Sequence, residues 1–310
     1  MNTMKYLFTI LTTAFICHSS PAKPVNDTSA LREKISNIFS QFPEATFGVA
    51  FKNLNTSATF FWNAEDIFHS ASTMKTPVMI EVYKQAAQGK FSVTDSMLVK
   101  NTFSSIVDGS TYSLDSTDDS EHDLYLHIGK KLPIRDIVFR MITVSSNLAT
   151  NNIIELVGAK NVTATMRKLG TKNMQVLRGV EDKKAFEKGL NNITTAYDLV
   201  LVMESIAKGT VADKRSTDDM LDILLHQRFK RVIGGKLPAD VKVANKTGAF
   251  KGVRHDSGIV FLPDGRKYVI VLLSRGIEDD EKSAAALAEV SRLVYEEVTK
   301  KPLPASPKER

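Results

Sequence analysis

Three short motifs bring together hydroxyl, amine and amide groups that can carry out nucleophilic catalysis. Lys75 follows Ser72 by three residues, so on a helix both side chains lie on one face, where a neutral lysine can accept the serine proton. The same S-x-x-K spacing recurs at Ser20 and Ser205, so this motif alone is weak evidence. The other two motifs follow in a fixed order along the chain, and that order is more informative than any single motif: Ser145-Ser146-Asn147 and then Lys246-Thr247-Gly248.

Other arrangements of reactive side chains favour no second site. The sequence lacks the G-x-S-x-G motif that marks the nucleophile of an α/β-hydrolase. His255 and Asp256 are adjacent, and adjacent residues on a strand point to opposite faces, whereas a catalytic triad needs them to converge. His122 and His127 have no metal-ligand spacing with acids or cysteines. We therefore predict that the protein uses no metal and no cofactor.

The elements that would hold these motifs follow an α+β order. Apolar periodicity predicts helices at 28–40, after Ser72, from 133, and at 145–157, 161–169, 194–207, 217–226 and 281–298. Runs of β-branched and aromatic residues predict strands at 46–52, 59–62, 241–246, 257–262 and 267–274, the first two forming a hairpin. Because strands lie at both ends of the chain, we expect them to share one sheet, with the central helices forming a second lobe.

Two segments fit neither a helix nor a strand. Residues 115–123 are acidic and rich in Ser and Thr, and we interpret them as an exposed insertion or flap. Residues 178–192 have no helical or strand period and carry three acids. A loop of that length in a compact domain is more often functional than idle, so it is a candidate part of the site.

The first residues are typical of a secretory signal. Lys5 precedes an apolar run over 6–16, and small residues follow near Ala22, a layout too short for a spanning helix. We expect export to the periplasm or secretion. Cys17 is the one cysteine and lies inside this segment, where Ile16 before it disfavours a lipid anchor.

Composition and charge limit the classes of partner. The formal net charge is +6, yet the basic residues are dispersed and form no stripe with aromatic side chains, so we expect no nucleic-acid binding. We also predict no membrane span and a monomer. The expected organisation is a signal peptide at 1–22, a sheet lobe at 23–68 and 227–300, a helical lobe at 69–226, and a flexible tail at 301–310.

The ordered motifs resemble the class A β-lactamase-like branch of the penicillin-recognising serine hydrolases. The resemblance runs from about Ser29 to Val298 and includes Pro77-Val78-Met79 after the first motif and Asn245 before the third. It implies a five-stranded antiparallel sheet flanked by the N- and C-terminal helices and joined to an all-helical lobe, with the site between them. It also implies that the substrate is a small β-lactam or a cell-wall peptide.

The resemblance assigns the acylation step to four side chains. Ser72 would attack the carbonyl carbon of a lactam or of a D-alanyl peptide and form an acyl-enzyme. Lys75 would receive the serine proton, which requires its pKa to be lowered by burial and by a second cation, namely Lys246. Ser145 would pass the proton to the leaving nitrogen.

The resemblance assigns substrate binding to residues of the second and third motifs and the strand that follows. Asn147 would bind the acylamide side chain, while Thr247 and Lys246 would hold the substrate carboxylate. The N–H groups of Ser72 and Ala249 would stabilise the oxyanion, each donor being worth roughly 3 kcal/mol. Gly248 and Arg254 belong to the same substrate-binding stretch.

The sequence departs from the family pattern where the acyl-enzyme would be hydrolysed. Family β-lactamases usually have an acid where Ser146 stands, and a glutamate followed four residues later by an asparagine in the long loop. Glu181 is the best candidate for the deacylating base, with Glu187 a weaker one, but Ala185 replaces the asparagine. Without a positioned base the acyl-enzyme would persist.

These departures leave three hypotheses open. The leading one is an exported serine β-lactamase that acylates on Ser72 and deacylates through Glu181. The second is a D-alanyl-D-alanine peptidase or esterase on the same fold. The third is a binder or sensor of β-lactams or wall peptides that does not turn over.

Overall fold

A computed structural model describes residues 28–300, and its helices surround one main sheet. The predicted signal peptide, Cys17 and the tail at 301–310 lie outside the described residues. The helices are α1 (Ser29–Phe39), α2 (Lys75–Ala87), α3 (Ile134–Thr143), α4 (Asn147–Val157), α5 (Ala159–Lys168), α6 (Lys183–Glu187), α7 (Ala196–Ala207), α8 (Lys214–Leu225) and α9 (Asp280–Lys300). Short 3-10 helices cover Ala71–Met74, Ser116–Asp118 and Asp123–His127. Within the described residues, none of the helices has the length and apolar character needed to cross a membrane.

The strands form a five-stranded sheet and three small two-stranded sheets. They are β1 (Thr46–Asn53), β2 (Thr59–Trp62), β3 (Phe68–His69), β4 (Ser96–Leu98), β5 (Phe103–Ser104), β6 (Thr111–Tyr112), β7 (Lys131–Pro133), β8 (Ile193–Thr194), β9 (Lys242–Phe250), β10 (Val253–Phe261) and β11 (Lys267–Arg275). The main sheet has the order β2-β1-β11-β10-β9 with every pair antiparallel. Strands from both ends of the chain therefore share one sheet, as the sequence predicts, and the fold class is confirmed.

The sheet is covered on both faces. One face packs against α1 and α9, where Leu31, Ile35 and Leu287 join a buried apolar cluster. The other face packs against α7 and is continuous with the core of the helical region. Side chains alternate between the faces along each strand, so burial on both faces explains the near-continuous apolar sequence of β11.

Helix α2 lies at the centre of the helical region. It contacts α3, α4, α5 and α8, and its residues are buried on all sides, including Val78, Met79 and Ile80. Its buried residues also include the polar side chains of Glu81 and Gln85. Because the turn that holds Ser72 leads directly into this helix, which begins at Lys75, the first motif lies at one end of a buried helix.

The structure corrects four details of the sequence interpretation. The segment 115–123 is not simply an exposed flap, because Asp119 and Glu121 are buried. Lys246 is not near a strand end, since β9 continues to Phe250. The loop 178–192 contains the short helix α6. Ser145 precedes helix α4 instead of starting it and has a positive φ of 59°.

The division into two lobes stays a prediction. Helix α7 falls inside the 69–226 range expected for the helical lobe, yet it packs against β1, β10 and β11. It therefore belongs to the covering of the sheet as much as to the helical region.

Candidate active site

Ser72 lies in the 3-10 turn Ala71–Met74, which leads directly into α2. Strand β9, the edge strand of the main sheet, passes close to this turn. A Cβ placed on Gly248 would lie 3.0 Å from the backbone nitrogens of both Ser72 and Thr73. Position 248 therefore needs a glycine so that the third motif can reach the backbone around the nucleophile.

Lys75 is fully buried, and its amine is directed at the second motif. Nζ donates to the carbonyl oxygen of Ser145 at 2.7 Å, to its hydroxyl at 3.2 Å, and to Oδ1 of Asn147 at 2.9 Å. Within the described residues, these bonds join the first motif to the second and none joins Lys75 to the Ser72 hydroxyl. Burial lowers the pKa of Lys75 to about 7, although the negative charges of Asp119 and Glu181 oppose this shift. A large neutral fraction can therefore exist at neutral pH.

The hydroxyl of Ser145 connects the two buried lysines. Lys246 is also fully buried, and its Nζ donates to Oγ of Ser145 at 3.0 Å and to the carbonyl oxygen of Thr247 at 2.8 Å. Burial and repulsion from Lys75 both hold the pKa of Lys246 well below its usual value. Two ammonium groups on one hydroxyl disfavour the doubly charged state, so a proton can pass between them through Ser145.

Asn147 connects the lysine pair to the long loop. Its Oδ1 accepts from Lys75, and its Nδ2 donates to Oε1 of Glu181 at 2.8 Å. Burial raises the pKa of Glu181, and the negative charge of Asp119 adds to this, while the Asn147 bond and the positive charge of Lys75 oppose it. One amide thus spans the groups expected to act in acylation and in deacylation.

Three of the five non-glycine residues with a positive φ in the described part of the chain lie at this site. Ala71, Ser145 and Glu181 have φ values of 46°, 59° and 62°, which non-glycine residues seldom adopt. Ala71 directly precedes Ser72, and Ser145 and Glu181 are themselves candidate catalytic residues. Strain of this kind persists only where the surroundings fix the backbone, and it is common at functional sites.

The loop that carries Glu181 is fixed on both sides of that residue. Asn151 of α4 accepts the N–H of Val180 at 2.7 Å and donates to its carbonyl oxygen at 3.0 Å. Asp182 is buried and accepts from Oγ of Ser105 at 2.8 Å and from the N–H of Ala185 at 3.1 Å. Glu187 is exposed and takes no part, so Glu181 is the only one of the two candidate bases that reaches the site.

Two cavities meet at Ser72. One of about 320 Å³ is lined by residues of all three motifs together with Arg231 and Arg254. The other, of about 340 Å³, is lined by Glu181, Phe186 and Phe250. Both include Ser72, Asn147 and Ala249. A larger cavity of about 760 Å³ lies next to Tyr83 and Arg135 and contains none of the three motifs.

The first of these cavities can bind an anion. Arg254 lines it, pairs with Asp280 at 2.6 Å, and buries an Nε that has no hydrogen-bond partner within the described residues. Thr247 lines the same cavity. A carboxylate placed there would lie beside a guanidinium group and a hydroxyl, of which the charged donor gives the stronger hydrogen bond.

Sequence reasoning missed the side chains that support the site. Asn151 lies four residues after Asn147 on the same helix, a spacing that could have identified it. Asp119 and Asp182 had no such signal, because each acts on a distant segment. Within residues 28–300, no group of three or more His, Cys, Asp or Glu side chains is arranged to hold a metal ion.

Comparisons with known proteins agree with this geometry. Residues 30–298 match the model of a family described as the beta-lactamase enzyme family. A Bacteroides uniformis protein named beta-lactamase is 24% identical over 306 residues, which cover 94% of this chain and 99% of the relative. The crystal structure of a beta-lactamase from Sphaerobacter thermophilus has a TM-score of 0.76 at 26% identity, over 89% of this chain and 100% of that one. A mutant of PBP-A, solved as an acyl-enzyme complex with penicillin G, has a TM-score of 0.74 at 25% identity, over 91% of this chain and 100% of that one.

Proposed function

The chain belongs to the beta-lactamase enzyme family, and we propose that it is a class A-type serine β-lactamase that hydrolyses the lactam amide through an acyl-enzyme on Ser72. The observation that carries the proposal is the buried network in which the Ser145 hydroxyl joins Lys75 to Lys246 beside the nucleophile turn. That network provides what acylation of a serine requires, namely a neutral amine and a route for the proton.

Acylation begins when Oγ of Ser72 attacks the lactam carbonyl carbon. Lys75, in its neutral form, takes the Ser72 proton directly or through a water molecule. As the tetrahedral intermediate collapses, the C–N bond breaks, and Ser145 gives its proton to the leaving nitrogen. Ser145 regains a proton from the lysine pair to which it is hydrogen-bonded. The N–H groups of Ser72 and Ala249 stabilise the oxyanion, and each donor lowers the barrier by about 3 kcal/mol.

Substrate binding uses the two cavities that meet at Ser72. The substrate carboxylate enters the cavity lined by Thr247 and Arg254. Asn147 has a second N–H on Nδ2 besides the one it donates to Glu181, and this donor is free to bind the acylamide group. The acyl side chain then extends toward the cavity lined by Phe186 and Phe250.

Deacylation depends on Glu181. Its carboxylate lines the same cavity as Ser72 and lies 2.8 Å from Asn147. As a general base it takes a proton from a water molecule, whose oxygen attacks the ester carbon. The bond between that carbon and Oγ of Ser72 then breaks, and the proton passes back to Oγ, which restores both Ser72 and the Glu181 carboxylate. Position 185 offers no side-chain amide to hold this water, since Ala185 is a buried apolar residue.

A chromogenic cephalosporin tests the proposal. We expect steady product release far beyond one equivalent of enzyme. A burst that ends at one equivalent would contradict turnover. Absence of any reaction, together with release of D-alanine from a D-alanyl-D-alanine peptide, would instead support the peptidase hypothesis.

Two variants test which residue acts in acylation and which acts in deacylation. Ser72→Ala removes the nucleophile and should abolish both burst and turnover. Glu181→Gln keeps the hydrogen-bonding shape but not the base, so we expect the burst to remain and steady turnover to fall by 10²–10⁴-fold, roughly the contribution of a general base. Undiminished turnover in Glu181→Gln would show that another group activates the water.

A second candidate function is a β-lactam binder that does not turn over. It is favoured by Ala185 and by the similarity to PBP-A, a mutant of which was solved as an acyl-enzyme complex with penicillin G. Mass spectrometry of the protein after exposure to penicillin G distinguishes the two. An adduct that persists for hours supports the binder, whereas rapid return of the unmodified mass supports the β-lactamase.

Export is the remaining part of the proposal. The sequence of residues 1–22 is typical of a secretory signal, and these residues lie outside the described part of the chain. Expression of the full chain in a bacterium should give a periplasmic or secreted protein whose mass corresponds to cleavage near Ser20 or Ala22. A full-length protein retained in the cytoplasm would contradict export.

A further inference from the structure

A carboxylate outside the three motifs lies against the start of helix α4. Asp119 is only 5% exposed, and its side chain accepts the N–H of Asn147 and the N–H of Leu148, both at 2.9 Å. The Tyr125 hydroxyl also donates to it, at 3.0 Å. The first N–H groups of a helix have no partner within the helix, so this carboxylate satisfies two of them and places its charge at the positive end of the helix dipole.

Asp119 completes a cap that Ser146 provides only in part. The Ser146 hydroxyl accepts the N–H of Ala149 at 3.2 Å and donates to Asp119 at 3.4 Å. Ser146 stands where the family usually has an acid. The carboxylate at this helix end therefore comes from the segment 115–123 instead of from the motif itself.

The residues that directly follow Asp119 in the chain fix the segment 115–123 in place. Oγ of Ser120 donates to the carbonyl oxygen of Val144 at 2.5 Å, and Arg140 donates to Glu121 at 2.7 Å. Asp118 and Ser120 also line the cavity that contains Ser72. Asp119 is thus fixed between the substrate cavity and the second motif.

We propose that Asp119 is a positioning residue that holds Asn147 in its reactive orientation and sets the charge balance around Lys75. The proposal rests on the proposed function. Asn147 bonds Lys75 at 2.9 Å and Glu181 at 2.8 Å. Through that one residue, Asp119 acts on acylation and on deacylation.

The charges around Lys75 predict a signature in the pH profile. Lys246 faces Lys75 through Ser145, and the charge of Lys75 favours the neutral form of Lys246, while Asp119 and Glu181 favour the protonated form of Lys75. Removing the charge of Asp119 therefore lowers the pKa of Lys75. If neutral Lys75 accepts the serine proton, the acid limb of the acylation rate shifts to lower pH.

The first experiment compares Asp119→Asn with Asp115→Asn by single-turnover kinetics. Asp115 lies in the same segment but is exposed, and among the described residues its carboxylate bonds only Thr117. In Asp119→Asn one of the two acceptor oxygens becomes an NH2 group that cannot accept a helix N–H, so we expect acylation and deacylation each to slow about tenfold, with the acid limb at lower pH. Asp115→Asn should leave rates and profile unchanged. An unshifted acid limb in Asp119→Asn, or a loss that follows thermal stability alone, would overturn the proposal.

The second experiment tests whether a carboxylate at position 146 can replace that of Asp119 at the start of α4, which we call the exchange of roles between the two positions. Ser146→Asp alone places a second carboxylate beside Asp119, so it should lower both stability and rate. The same substitution in the Asp119→Asn background should restore part of both, because it returns one carboxylate to the helix end. Equal effects of Ser146→Asp in the two backgrounds would refute the exchange. Urea unfolding measures this coupling even if the wild-type protein reacts with no β-lactam, so failure of this inference can be distinguished from failure of the proposed function.

Discussion

Gly248 allows strand β9 to approach the backbone of the nucleophile turn, so the fold and the proposed chemistry both depend on this residue. A Cβ here would lie 3.0 Å from the nitrogens of Ser72 and Thr73 and 3.1 Å from Cβ of Ala71. Because the nearest atoms are backbone, they cannot move aside as a flexible side chain can. We expect Gly248→Ala to displace β9 from the nucleophile turn and to slow acylation about 10²-fold, the cost of one misplaced oxyanion donor.

Stopped-flow acylation and thermal unfolding together check this prediction for Gly248. Gly48→Ala is the matched control, because its Cβ would meet the ring of Phe68, at 2.9 Å, instead of the backbone around Ser72. We expect the control to lose stability but to acylate at nearly the wild-type rate. Normal acylation by Gly248→Ala would show that β9 need not approach this closely.

The buried Lys75 predicts the pH dependence of acylation. With the pKa of Lys75 near 7, acylation should rise with pH up to about that value and then level off. Glu181→Gln removes a negative charge that favours protonated Lys75, so it lowers the pKa of Lys75 further. The acid limb should therefore move to lower pH, apart from any loss in rate. Single-turnover rates between pH 5 and pH 9 give the result, and an unmoved limb would argue against Lys75 as the base.

At the scale of elements, the loop 178–192 is held both by bonds within itself, such as that from Arg178 to the carbonyl oxygen of Leu190, and by bonds to neighbouring segments. Asp182 accepts from the Ser105 hydroxyl and from the N–H of Ile106, at 2.8 and 2.9 Å, and so joins the loop to the segment after β5. Asp182→Ala removes these bonds and leaves buried donors unsatisfied, at a cost of about 1–3 kcal/mol. We expect deacylation to slow more than acylation, because Glu181 is the neighbouring residue and Ser72 is on a different element.

The prediction for Asp182→Ala is checked by measuring the rate constants of acylation and deacylation and comparing their ratio with that of the wild type. Ser105→Ala serves as the control, since it removes only one of the three bonds that the Asp182 side chain accepts from Ser105, Ile106 and Ala185. Its effect on deacylation should be smaller in the same direction. An equal fall of acylation and deacylation in Asp182→Ala would indicate a general loss of structure.

The elements that the sequence predicts well are those whose pattern is local. Helix α1 has Leu31, Ile35 and Phe39 on one face, and this spacing alone indicates its helix and its buried side. The order of the three motifs likewise predicts that Ser72, Lys75 and Lys246 share a site. Such features need no knowledge of distant contacts.

The features that the sequence does not reveal depend on contacts between distant segments. An acidic, Ser- and Thr-rich stretch is usually solvated, so nothing in residues 115–123 indicates that Asp119 is buried against Asn147, 28 positions away. The positive φ of Ser145 and Glu181 is equally hidden, because such strain is imposed by the surrounding structure. Ser146 was the one local sign that a carboxylate had to come from elsewhere.

At the scale of the whole molecule, His255 joins the sheet to the segment that leads into the nucleophile turn. It is fully buried on β10, where its Nε2 donates to the carbonyl oxygen of His69 at 3.0 Å, and its Nδ1 lies 2.8 Å from the carbonyl oxygen of Arg254 and 3.3 Å from the backbone nitrogen of Ser274. The ring of Phe68 packs edge-on against it. The Nε2 bond to His69 can form with either the neutral or the protonated ring, but burial disfavours the charged form, so a proton on His255 would place a charge inside this buried junction.

Acid should therefore destabilise the protein through His255. Burial lowers the pKa of His255 to about 4, below the usual value of 6.5. As the pH falls below 6.5 the unfolded chain binds a proton that the folded protein rejects, so stability is lost progressively down to about pH 4. At pH 5 the loss from His255 alone amounts to about 2 kcal/mol. His69, whose pKa burial and the Arg178 charge also lower to about 4, acts in the same direction.

Urea unfolding at pH 7 and pH 5 tests the contribution of His255. His255→Gln retains an N–H donor for the His69 carbonyl but cannot titrate, so this variant should be less stable than the wild type at pH 7 and lose about 2 kcal/mol less on acidification. His226→Gln is the control, because His226 is exposed on the surface after α8. It should reproduce the wild-type loss. If His255→Gln and the wild type lose the same stability between the two pH values, the acid sensitivity arises elsewhere, and the junction between sheet and nucleophile turn does not depend on the neutral imidazole.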